Sequence, residues 1–140
     1  NTTTDLVNKK SSFYSCFFVY KGEFMNSKLI VYNIEKIDHK DQLLQMCVMM
    51  NIEVIQLTAQ MIQTKVKDIL NKKIKKSKNK KIEPAIILFS NVSSSKMDQI
   101  LYLLKDNQKL CLKAIVTATN FNWTFEMLGE HLLEEYQKNK

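Results

Sequence analysis

Pro84-Ala85-Ile86-Ile87-Leu88-Phe89 is the stretch on which the fold turns. Five apolar residues in a row after a proline leave no polar face. A strand with one face in water alternates apolar and polar residues, whereas one that is apolar on both faces belongs inside a sheet covered on both sides, as parallel sheets are.

Similar runs recur on either side. Residues 29–34 (Leu-Ile-Val-Tyr-Asn-Ile) and 52–57 (Ile-Glu-Val-Ile-Gln-Leu) read as strands one and two, and residues 110–117 as strand four. The intervals carry helical spacing. Leu43, Leu44, Cys47 and Val48 share a face behind an Asp38 cap, with Asn51 as a stop. Met61, Ile62, Val66, Ile69, Leu70 and Ile74 form one stripe, predicting a helix from Thr58 to about Asn71. Met97, Ile100, Leu101 and Leu104 follow a Ser95 cap. Met127, Leu128, His131 and Leu132 follow a Thr124 cap, with Trp123 and Leu128 as a hydrophobic staple.

The expected architecture is an α/β fold. It has a four-stranded, mostly parallel sheet with flanking helices, in the order β-α-β-α-β-α-β-α, with right-handed crossovers. A ferredoxin-like arrangement with an inserted helix is the alternative. No internal repeat is visible. Residues 25–140 read as one domain with a Lys-rich loop at 72–81. Residues 1–24 read as an N-terminal extension, either sequence upstream of a natural start at Met25 or an added edge strand.

Composition removes several function classes. The 140 residues include two Gly, Gly22 and Gly129, and one Pro. Phosphate loops, dinucleotide fingerprints and nucleophile elbows each need several Gly at fixed offsets, so none is present. All 21 basic residues are Lys. Nine of them, against the single acid Asp68, fall in residues 65–81, a local net charge of +8. The remaining twelve Lys and thirteen acids net −1, so the overall +7 belongs to one segment of a near-neutral domain. Cys16, Cys47 and Cys111 have no metal or redox spacing, and reduced, buried thiols in a cytoplasmic protein are the expectation. The apolar run at 13–20 is too short to span a bilayer as a helix.

Residues 113–124, Lys-Ala-Ile-Val-Thr-Ala-Thr-Asn-Phe-Asn-Trp-Thr, resemble the signature of a bacterial family, the domain of unknown function 3783. Its pattern is Ala-Val-Val-Thr-Pro-Thr, a short spacer, Asn-Trp and an acidic amphipathic helix, which residues 128–135 fit. Ala118 stands where the family has Pro. Residues 29–33, 58–70 and 86–90 are similar, more weakly, to its first strand, second helix and third strand. The resemblance implies the fold and no established activity.

Ligands of parallel α/β sheets bind beyond the carboxyl ends of the strands. Asn33, Ser90, Asn91, Thr117, Thr119, Asn120 and Trp123 fall there and form the candidate site for a small polar ligand or a protein partner. The same Ser, Thr and Asn also serve as caps and turn formers. The leading function is a non-enzymatic binding or regulatory module, with homodimerisation open. The first alternative is weak, sequence-neutral nucleic-acid binding through Lys72, Lys73, Lys75, Lys76, Lys78, Lys80 and Lys81, since lysines meet phosphates but lack the fork of Arg. A small enzyme at the strand-end crevice comes last. His39 beside Asp38 and Asp41 is its only acid–base pairing, and no residue set nominates a reaction, a metal or a cofactor.

Overall fold

A computed structural model describes residues 26–78 and 81–139. The extension at 1–24, Cys16 and Lys80 lie outside the described residues. Four strands, β1 (Lys28–Tyr32), β2 (Glu53–Leu57), β3 (Ala85–Ser90) and β4 (Cys111–Ile115), alternate with four helices. The helices are α1 (Lys40–Met49), α2 (Val66–Leu70), α3 (Ser94–Leu104) and α4 (Phe125–Lys138).

The strands form one mixed sheet in the order β2-β1-β3-β4. β1 and β2 are parallel, as are β3 and β4, but the central β1–β3 pairing is antiparallel. In a split βαβ unit a further strand separates the two parallel ones; here β1 and β2 are direct neighbours.

β3 is buried along its whole length, as its unbroken apolar run requires. Its residues alternate between two cores, with the period-two geometry of a strand. Ala85, Ile87 and Phe89 join Leu29 and Val31 under Leu43 and Cys47 of α1 and Met97, Ile100 and Leu104 of α3. Ile86 and Leu88 join Ile30 and Tyr32 under Val66, Ile69 and Leu70 of α2 and Phe125, Leu128 and Leu132 of α4. Three layers result, with a helix pair on each face.

The sheet relates two halves by an approximate two-fold axis, a repeat that residue identities do not reveal. Lys28 pairs with Glu53 in the first half, as Ile86 pairs with Leu112 in the second. Ile30 faces Leu88 at the centre of β1–β3. Asn33 and Asn91, each ending its strand, are both left-handed, with φ 59° and 60°. Lys65 bridges Thr124 between the halves. Around that bridge Val66 N–H donates to Trp123 C=O (2.9 Å) and Phe125 N–H donates to Thr64 C=O (3.0 Å), which is the same bond made twice.

That contact corrects the continuous helix expected from Thr58. The segment is a 3-10 turn at Ala59–Met61, a break, then the five residues of α2. In a helix Val66 N–H would bond Ile62 C=O. Instead Val66 turns to Trp123, and Ile62 C=O accepts from Glu126 N–H (2.8 Å). Five residues do not hold as an isolated helix. Burial of Val66, Ile69 and Leu70, each giving about 1.5–3 kcal/mol, outweighs a missing side-chain cap that gives about 1 kcal/mol. A Schellman closure ends α2: Lys73 N–H reaches Asp68 C=O (2.8 Å) and Lys72 N–H reaches Ile69 C=O (3.0 Å). The left-handed C′ residue is Lys72, φ 61°. Asn51, φ 59°, closes α1 in the same way and is the stop read from sequence.

Two caps also move. Ser93, not Ser95, caps α3, its Oγ accepting from Lys96 N–H (3.4 Å). Asp38 caps nothing: His39 holds the N-cap position of α1, and the Asp38 carboxylate accepts from Gln108 N–H (2.8 Å). Thr124 is the cap of α4, accepting from Met127 N–H (3.1 Å).

Candidate functional site

Antiparallel pairing of β1 with β3 divides the strand ends. Tyr32 sits opposite Ile86, and Lys28 opposite Ser90. The carboxyl ends of β1 and β2 therefore lie at one end of the sheet, and those of β3 and β4 at the other. Asn33 is thus separated from Ser90, Asn91, Thr117, Thr119 and Asn120. Its side chain is buried and its amide reaches Ile82 C=O (2.9 Å), Glu83 C=O (3.1 Å) and Pro84 C=O (3.2 Å). Asn33 fastens the linker between the halves.

The other end is more coherent. Val116 N–H donates to Phe89 C=O (2.9 Å), carrying the β3–β4 contact up to the turn that follows β4. Asn120 organises that turn. Its Oδ1 accepts from Thr117 N–H (2.8 Å) and its Nδ2 donates to Ile115 C=O (3.1 Å). In return Thr117 Oγ1 accepts from Asn120 N–H (3.1 Å). Asn120 is buried, while Thr117 and Thr119 stand exposed. Asn91 is half-buried beside them, its C=O accepting from Ser27 Oγ (2.7 Å), and Ser90 is buried. Trp123 lies half-buried against His131 of α4, ring centroids 4.5 Å apart, and packs on the core that contains Leu128. One face of the indole is therefore engaged within the chain.

The acid–base candidates are used elsewhere. Asp38 is tied to Asn107 and Gln108 rather than to His39. Burial pushes the thiols of Cys47 and Cys111 up to about 11, which keeps them protonated. Among the described residues, no group of three or more His, Cys, Asp or Glu is placed to hold a metal ion. No helix among them is long and apolar enough to cross a membrane.

The Lys-rich loop is fastened to the turn before α2. Thr64 Oγ1 donates to Lys75 C=O and accepts from Lys75 N–H, both at 3.0 Å. Ser77 N–H donates to Gln60 C=O (2.9 Å), and Ser77 Oγ bonds Gln63 Oε1 (2.8 Å). Lys72, Lys73, Lys75, Lys76, Lys78 and Lys81 are exposed, and Lys72 pairs with Glu53.

One feature of the surface escaped sequence reading. A concavity of about 270 Å³ opens between the ends of α3 and α4, at the side of β4 that pairs with no other strand among the described residues. Lys105, Lys109 and Lys113 line it with Asn107 and Tyr136. Their spacing crosses a helix, a turn and a strand, so no single periodicity groups them.

Comparison with known proteins reaches the second half of this fold. Residues 85–138 match the family model described as Domain of unknown function (DUF3783). The DUF3783 match begins at the first residue of β3 and ends at the last of α4, so it spans one βαβα half. It takes in the turn after β4, while the first half, with the weaker resemblances at 29–33 and 58–70, lies outside it. No curated protein and no solved structure matches the chain.

Proposed function

We propose that the chain is a non-enzymatic binding or regulatory module of the bacterial cytoplasm. Its contact surface is Thr117, Thr119 and Asn91, with Ser90 and Trp123 behind them. The observation that supports this reading is the turn after β4. Asn120 is buried and spends its side chain holding Thr117 and Ile115, so two exposed threonines are displayed on a rigid backbone. Polar loop residues positioned by a rigid scaffold are where binding concentrates. Asn33 drops out of the surface, because it lies at the other end of the sheet.

A panel of nucleotides and polar metabolites, read by thermal shift, tests the proposal. The expected result is a stabilising ligand whose shift is lost in Thr117→Val/Thr119→Ala, read against the lower unliganded Tm that follows from removing the Thr117 Oγ1–Asn120 N–H bond. A ligand whose effect survives that double variant places the surface elsewhere.

The anchoring of residues 75–77 favours a second reading, phosphate contact by the exposed lysines. Lysines held on an ordered track lose less freedom on binding than those of a free loop. If four or five phosphates are met, affinity for duplex DNA falls with salt at a log–log slope of roughly −3 to −5. No binding at low salt removes this reading.

A further inference from the structure

We propose that the concavity at the outer side of β4 is a binding site for a small oxyanion, a phosphate- or carboxylate-bearing metabolite. Among the described residues β4 is the last strand of the sheet, and its pairing with β3 defines what faces outward. Leu110 C=O accepts from Ala85 N–H (3.2 Å) and Val116 N–H donates to Phe89 C=O (2.9 Å). Even-numbered residues thus direct their backbone groups to β3. Cys111 and Lys113 turn theirs to the side away from β3, where Leu104 at the end of α3, Lys105 just after it and Tyr136 of α4 flank them.

Among the described residues, three lysines and no acid line the space. Lys113 forms the floor, almost wholly buried, and Lys109 the exposed rim. The Lys105 ammonium lies 4.1 Å from the centre of the Tyr102 ring. Burial lowers the Lys113 ammonium below the usual lysine range, and an anion bound beside it opposes that shift.

The rim is held in place before any ligand arrives. Asn107 Nδ2 donates to Lys36 C=O (3.1 Å) and Lys109 C=O (2.7 Å), and its Oδ1 accepts from Asp38 N–H (2.7 Å). Gln108 N–H is fixed on the Asp38 carboxylate. At about 270 Å³ the space is slightly below the roughly 300–1,000 Å³ of most ligand pockets, so it suits a small molecule rather than a polymer. Lysines act as point charges without a planar fork, so they accept phosphate and carboxylate alike. The site lies at the start of β4, and the Thr117 turn lies beyond its end, so the two stand or fall separately.

Inorganic phosphate and malonate, each titrated against chloride at matched ionic strength, test the proposal by calorimetry and by two-dimensional amide NMR. Saturable binding is expected, with the largest amide shifts in residues 105–113. Phosphate alone or malonate alone binding assigns the headgroup. Lys109→Gln/Lys113→Met is expected to weaken binding at least tenfold, while Lys72→Gln/Lys73→Gln/Lys75→Gln/Lys76→Gln and Thr117→Val/Thr119→Ala leave it unchanged. Absence of saturable binding overturns the proposal. So do shifts centred on residues 72–78, or equal weakening by the Lys72–Lys76 variant, which would reduce the effect to surface charge. The NMR readout uses the unsubstituted protein and stands even if a variant fails to fold.

Discussion

Leu70 and Gly129 occupy equivalent places in the two halves, each four residues after the first residue of its helix. Leu70 is 1% exposed and fills the space between α2 and the sheet. At Gly129 a Cβ would stand 2.9 Å from Ile86 Cδ1 and 3.0 Å from Ile82 Cδ1, so isoleucines fill the corresponding space from the other side. Ile82 belongs to the linker between the halves, which passes only once. The linker therefore breaks the symmetry, and packing on each side adjusts to it. The helices differ as well: α4 runs fourteen residues with Glu126, Glu130, Glu134 and Glu135, whereas α2 stops after five and leads into lysines.

Exchanging the side chains at these two places is expected to give the largest effects. Leu70→Ala leaves a cavity and should cost about 2–5 kcal/mol in urea unfolding. Gly129→Leu overpacks Ile82 and Ile86 and should cost about 1–3 kcal/mol. If Gly129→Leu were neutral, the linker would not be what separates the halves.

Next come the two left-handed asparagines. Asn33→Gly keeps the backbone but strips the amide from the buried carbonyls of Ile82 and Pro84, for a loss of about 1–3 kcal/mol. Asn91→Gly should stay within about 0.5 kcal/mol, because glycine suits φ near 60°. Equal losses would mean that both strand ends are built alike.

The caps follow. Thr124→Ala should cost about 1 kcal/mol. Lys65, the equivalent residue, makes no side-chain cap bond, so Lys65→Asp should gain several tenths of a kcal/mol near the positive end of α2. Lys72→Gly acts at the other end of α2. It relieves the left-handed strain of about 1–2 kcal/mol but gives back about 0.5–1 kcal/mol through the looser unfolded chain. A net gain below about 1 kcal/mol in thermal or urea unfolding is expected.

The alternation of apolar runs with helical stripes made the four strands legible, because burial on a sheet or beneath a helix imposes its own period. β3 is the clearest case: its apolar run appears as a strand with no exposed residue. α2 was not legible as it stands. Met61, Ile62, Val66 and Ile69 satisfy helical spacing, and nothing local says that Ile62 and Val66 will bond across to Glu126 and Trp123 instead. The candidate site was half legible. Turn chemistry marks Thr117 and Asn120, but it marks Asn33 equally, and Asn33 is at the opposite end.

By itself the sequence determined the element order, the burial of β3, the absence of Gly-rich phosphate loops and the confinement of the net positive charge to residues 65–81. These depend on residue type and near-neighbour spacing. Strand direction, the two-fold relation of the halves, the breaking of α2 and the lysine-lined edge of β4 were decided only in three dimensions. The pattern of a strand reads the same in either direction. A backbone group takes whichever partner the whole chain brings within reach.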